Sequence, residues 1–154
     1  MKYALFVTIM AFGILSMGCQ KEDYSQNMRV ATSRAAGGVA AKVLLDEVAL
    51  GQYDNTKKLT IEIAQDLKLF CENGKLADLP FDIAQDKLLA YMESKGWGSY
   101  IPLVTGIMAV VEAQRVPVEK LGENNIYLIK TGLDEVIESA TTSKVEWRRP
   151  VNAQ

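Results

Sequence analysis

Histidine is missing from all 154 residues. Its absence removes Ser-His and Cys-His nucleophilic sites, His-ligated zinc or iron, and a histidine pH switch. Cysteine occurs only twice, as Cys19 and Cys71, too few for a disulfide framework. Charge of one sign is not in excess: 17 basic against 19 acidic side chains give a net charge of -2. Without a basic face, nucleic acid is excluded as the main partner. The sequence has no D-x-D-x-D-G loop, no Glu-x-x-His pair and no glycine-rich phosphate loop. Neither a metal nor a cofactor is therefore expected. Long hydrophobic runs are lacking too. The longest, residues 4–15, is twelve residues and about 18 Å as a helix, against roughly 30 Å of bilayer hydrocarbon.

That short run nevertheless sets the first eighteen residues apart. Lys2 precedes it, Ser16-Met17-Gly18 follow it, and no acidic residue occurs before Glu22. A basic start, a short apolar centre and small residues before a cut make a secretory signal peptide. Leu15-Ser16-Met17-Gly18-Cys19 resembles the lipobox of bacterial lipoproteins, with Ser16 where leucine is usual. The resemblance implies cleavage between Gly18 and Cys19, and a thioether-linked diacylglycerol on Cys19. The new amine would usually be acylated as well, and two or three acyl chains make stable anchoring. It also implies a place in the bacterial cell envelope. Gln20, rather than aspartate, after the cysteine favours the outer membrane, facing the periplasm, in a Gram-negative host. A plain secreted form is the alternative. An acylated Cys19 cannot pair, so Cys71, in an apolar pattern with Ile63, Leu67 and Phe70, is read as a buried core thiol.

Removing residues 1–18 leaves 136, enough for one core. Residues 19–27 read as a lipidated tether, 28–142 as a helical domain and 143–154 as an extended tail. The fold class is all-α, a compact bundle of about five helices. The first runs from Met28 to Leu50 and stops at Gly51. Its centre, Ala35-Ala36-Gly37-Gly38-Val39-Ala40-Ala41, allows close approach of a second helix but also permits a kink or break. Asp54 or Asn55 caps a second helix to Glu72, with Leu59, Ile63, Leu67, Phe70 and Cys71 inward and Asn73-Gly74 as its stop. A third starts near Pro80 and ends before Gly96, with Ile83, Ala84, Leu88, Tyr91 and Met92 inward. Ser99 caps a fourth, apolar almost all round to Glu112, and expected to be the central, most buried helix; a short strand pair is its alternative. The last, Asn124 to Thr141, carries the cleanest stripe: Ile126, Ile129, Leu133, Val136, Ile137 and Ala140.

Ile63-Ala64-Gln65-Asp66 recurs as Ile83-Ala84-Gln85-Asp86, either a duplicated unit or chance likeness of two amphipathic helices. Catalytic chemistry has few openings. Glu93-Ser94 faintly resembles the Glu-Ser start of a lytic transglycosylase site, which would make Glu93 the acid of a peptidoglycan-cleaving enzyme, but the Gly-Leu-Met-Gln segment of that family is missing. Asp134, Glu135 and Glu138 read as the wet face of the last helix. Trp147, Arg148 and Arg149 couple an aromatic anchor to two fixed charges, a composition enriched where proteins meet partners. The resulting expectation is a non-enzymatic envelope lipoprotein that binds another envelope protein or assists assembly. A phage- or plasmid-type exclusion or immunity lipoprotein is the alternative, and the Glu93 enzyme the weaker one.

Overall fold

The computed structural model describes residues 26–46, 52–114 and 120–143. They form five helices: α1 (Gln26–Asp46), α2 (Tyr53–Asn73), α3 (Phe81–Ser94), α4 (Ile101–Gln114) and α5 (Gly122–Thr142). Short 3-10 turns at Leu76–Asp78 and Gly98–Tyr100 precede α3 and α4. The all-α bundle expected from the sequence is what forms, with no strand among the described residues.

The expected approach at the small-residue centre of α1 occurs, and its partner is α5. A Cβ on Gly37 would lie 2.0 Å from the carbonyl oxygen of Gly132, so only glycine admits this crossing. From the other side, a Cβ on Gly132 would stand 3.1 Å from the Ser33 carbonyl oxygen and 3.0 Å from a methyl of Ile107 on α4. Three helices thus meet at one glycine. No break interrupts the helix: α1 is helical through Gly37-Gly38. Tertiary contact here outweighs the roughly 1 kcal/mol that each glycine takes from helix propensity.

The two crossing helices run parallel. Ser33 faces Gly132 and Gly38 faces Ser139, while Leu45 and Ala140 share a small cluster with Tyr53. Against them α2 runs antiparallel to α5, because Lys57 reaches Thr141, Lys68 pairs with Asp134 and Glu72 pairs with Lys130. Then α3 runs antiparallel to α2, with Tyr91 against Phe70 and Lys95 against Asp66. Consequently α1, α3 and α5 all begin at one end of the bundle, the base, and α2 begins at the other.

The central role expected of α4 belongs to α5, which packs against α1, α2, α4 and the 76–78 turn. Its stripe is widened by Asn125, Leu128, Thr131 and Gly132, all buried. Helix α4 buries Leu103, Val104, Ile107, Met108, Val110 and Val111 but leaves Ala109, Glu112 and Ala113 exposed. Apolar composition alone does not give centrality; the helix with partners on three sides holds it.

Other boundaries and faces shift by small amounts with identifiable causes. Helix α1 starts at Gln26, so Gln26 and Asn27 belong to it rather than to the tether. Gly51 lies outside the described residues. Helix α2 starts at Tyr53 with Gln52 before it, not at an Asp54 or Asn55 cap, because buried Tyr53 packs on Leu45 and Ala140 and bonds Ser143. Its buried face is Thr60, Ile63, Ala64, Leu67 and Cys71, so Leu59, turned one residue away, is exposed. Likewise Phe81, Ala84, Leu88 and Met92 form the inner face of α3, which puts Ile83 on the surface and Tyr91 at its flank. Pro80 is the residue before α3 rather than its first turn, and Ser99 lies in the 98–100 turn rather than capping α4. The two Ile-Ala-Gln-Asp copies are not packed alike: Ile63 is fully buried and Ile83 is 44% exposed.

At the α1–α5 crossing Ser33 is fully buried and its hydroxyl has no hydrogen-bond partner. Gly37→Ala should therefore lower stability by about 3 kcal/mol through overpacking. Gly106→Ala, where an added Cβ meets nothing within 4 Å, should raise it by up to about 1 kcal/mol. Ser33→Ala should be neutral or stabilising, since it removes an unpaired buried hydroxyl. Urea denaturation of the three variants tests the crossing directly; equal effects of Gly37→Ala and Gly106→Ala would refute it.

Candidate functional site

Helix α3 ends in a way that builds a surface. Gly96 takes φ +75°, a left-handed conformation that favours glycine, and its N–H donates to the Glu93 carbonyl at 2.9 Å. The Trp97 N–H donates to the Met92 carbonyl at 2.9 Å. These two bonds make a Schellman stop. The stop swings Trp97 back over the last turn of α3, where its ring meets Tyr91 edge-on at 6.1 Å between centroids.

Tyr91 in turn stacks on Phe70 of α2, with centroids 4.2 Å apart and planes 14° from parallel. All three rings are half-buried, with one side on the core and the other at the surface. The Lys95 ammonium lies 5.3 Å from the Tyr91 ring centre and 5.7 Å from that of Trp97, and 3.6 Å from an Asp66 carboxylate oxygen. The hydrogen bond with the Tyr91 side chain, and then the charges of Tyr91 and Asp66, hold Lys95 above the ordinary lysine range. It stays a cation at any physiological pH. The result is a ledge of three aromatic rings carrying one fixed positive and one fixed negative charge. Aromatic side chains of this kind bring large contact area with little conformational entropy to lose.

A second polar line joins α2 to α5. Lys68 pairs with Asp134, and Lys130 with Glu72. The Lys130 hydrogen bond lowers the Glu72 pKa, and the same bond raises that of Lys130. Lys57 donates to the carbonyls of Thr141 and Ser143 at 2.9 and 3.0 Å, closing the C-terminal end of α5 with a cation. This line is surface electrostatics that sets helix direction and register. Of the acidic group expected to be a wet face, Glu138 is exposed, Asp134 carries the Lys68 pair, and Glu135 is half-buried beside Arg34 at 3.9 Å.

Glu93 lies exposed in the last turn of α3. Among the described residues no group of three or more His, Cys, Asp or Glu side chains could hold a metal ion. None of the described helices is long and apolar enough to cross a membrane. Gly18, Cys19, Trp147, Arg148 and Arg149 lie outside the described residues. Phe70 and Tyr91, expected inward from the sequence, stand at the edge of the core, and Lys95, Asp66 and Trp97 join them as companions that no spacing singled out. The Gly96-Trp97-Gly98 signal was the available clue. Compared with protein-family models, with curated proteins and with solved structures, the chain finds no match.

Cys71 is a core thiol, 3% exposed, and burial pushes its pKa from 9.0 up to about 12, against the smaller opposing influence of Lys130. Between those two values the unfolded chain releases the proton that the folded chain keeps, so stability falls as pH rises. Burial of Tyr100, whose hydroxyl meets Thr60 and Thr56, raises its pKa and acts in the same direction. Unfolding free energy measured across pH 9 to 12 should decline, and Cys71→Ala should remove about 1.4 kcal/mol per pH unit of that slope. An unchanged slope would show that the thiol ionises freely in the native state.

Proposed function

We propose that the chain is a lipid-anchored protein of the bacterial envelope whose helical bundle docks another envelope protein through the aromatic ledge of α2 and α3. The single observation that carries the docking role is the ledge itself: Phe70, Tyr91 and Trp97, stacked and fixed by the Gly96 stop, with Lys95 and Asp66 at hand. Rigid aromatic anchors beside charges are the composition that dominates binding energy at protein interfaces. The anchoring role rests on the lipobox-like Leu15-Ser16-Met17-Gly18-Cys19. The ledge lies level with the middle of α5, because Phe70 sits between the Lys68–Asp134 and Glu72–Lys130 pairs, so an anchor on Cys19 at the base leaves it free to meet a partner. Trp147, Arg148 and Arg149, with their aromatic and cationic chemistry, are offered as a second contact for the partner.

Crosslinking and affinity purification from host membranes test the reading, with Cys19→Ser as the unanchored form and Tyr91→Ala/Trp97→Ala as the ledge variant. One dominant partner is expected, lost from Cys19→Ser and bound about thirtyfold more weakly by the ledge variant. Full binding by the ledge variant would overturn the docking site. Retention of Cys19→Ser in the membrane fraction, or no incorporation of labelled palmitate, would overturn the anchor.

A further inference from the structure

Three of the six exposed large apolar side chains among the described residues lie at the base of the bundle. Met28 is the third residue of α1 and 51% exposed, Ile83 the third of α3 and 44% exposed, and Tyr127 the sixth of α5 and 53% exposed. The antiparallel pairs fixed by Lys68–Asp134, Glu72–Lys130 and Phe70–Tyr91 put all three helix starts at this end. The remaining exposed large apolar residues, Val39, Leu59 and Leu69, are spread along α1 and α2.

The chain that precedes the described structure enters at this same end. Helix α1 is established from Gln26, so only seven peptide steps separate Cys19 from it, a reach of about 25 Å at full extension. A bilayer holding Cys19 is therefore within contact distance of the base, the end at which α1 begins. Exposed Lys75 and Lys120 are balanced there by Asp78, Asp82 and Glu123, so attraction of cations to anionic headgroups is not the basis of contact. Apolar side chains are. Tyrosine, with an apolar ring and a polar tip, suits the headgroup level, and residues of this kind rest a few ångströms into the interface.

We propose that the base, where α1, α3 and α5 begin, is a lipid-apposed face that seats Met28, Ile83 and Tyr127 at the headgroup boundary of the bilayer holding Cys19. This rests on the anchoring read above and adds an orientation to it: the helices stand up from the membrane, and the aromatic ledge lies about halfway up the bundle.

The test uses the full chain, lipidated in a bacterial host and reconstituted into vesicles of phosphatidylethanolamine and phosphatidylglycerol. Single variants Met28→Cys, Ile83→Cys, Tyr127→Cys and, as the far-end reference, Leu59→Cys are labelled with an environment-sensitive fluorophore. The unsubstituted protein, with Cys71 buried, gives the labelling blank. With acyl chains brominated near the headgroup, labels at 28, 83 and 127 should lose at least half their emission and shift to the blue, independently of salt. The label at 59 should do neither. If all four behave like position 59 while the protein floats with the vesicles, the lipid-apposed face is wrong and the anchor stands. If the lipidated protein fails to float, or Cys19→Ser floats as well as it does, the anchor is wrong and this face falls with it.

Discussion

The backbone-to-backbone crossing of α1 and α5 is the constraint on which the rest of the bundle depends. At Gly37 and Gly132 no side chain separates the helices, and Ile107 of α4 closes over the same point. Such an approach brings many main-chain atoms into dispersion contact without ordering any side chain. It also fixes what the rest of the chain must do. Because α1 and α5 run parallel, the intervening segments have to carry the chain back to its starting end before α5 can begin. Helices α2, α3 and α4 perform that return; α2 and α4 pack on the pair, and α3 packs on α4. The ion pairs of Lys68 with Asp134 and Lys130 with Glu72 then hold α2 antiparallel in one register. Exposed pairs of this type add little stability. What they contribute is direction.

Much of this fold was legible in the residues. The stripe from Ile126 to Ala140 on α5, the stops near Gly74 and Gly96, and the small-residue centre of α1 all describe local events, and local events are what periodicity and breakers report. The misplacements share one cause. Whether Leu59 or Thr60 faces inward, or Ile83 or Ala84, depends on a rotation of one residue, and both choices satisfy an amphipathic pattern. Packing decided for the small residue in each pair, since Thr60 and Ala84 let α2 and α3 lie close to their neighbours. The same preference put α5, with its Gly132, at the centre in place of the uniformly apolar α4. Apolarity marks a helix as buried somewhere; small residues mark where another helix can come near.

The aromatic ledge was illegible for a different reason. Its five members come from Asp66, Phe70, Tyr91, Lys95 and Trp97, on two helices and a turn, and no spacing rule relates the two groups. Only the antiparallel pairing of α2 with α3 brings 66 opposite 95 and 70 opposite 91. Read singly, each residue has an ordinary explanation. Phe70 and Tyr91 pass as core, Asp66 and Lys95 as solvated charges, and Trp97 as part of a glycine-rich turn. Long-range pairing converts them into one surface.

The two surfaces proposed for this chain make complementary demands on the same helices. A lipid-apposed base must tolerate contact through Met28, Ile83 and Tyr127 without opening the core, and it can, because the inner faces beside them are closed by Phe81, Ala84, Ile126 and Ile129. A docking ledge must keep its shape while the anchor diffuses in the membrane. The Gly96 stop and the stacked rings provide that, since Trp97 is positioned by main-chain hydrogen bonds and by Tyr91 rather than by a mobile loop. Helix α5, 21 residues and about 30 Å long, rises from the base past the ledge, which lies level with its middle. Its close fit against α1 therefore does more than stabilise a core. In the proposed arrangement it sets the height above the bilayer at which the ledge is presented, and a partner must reach that height to be bound.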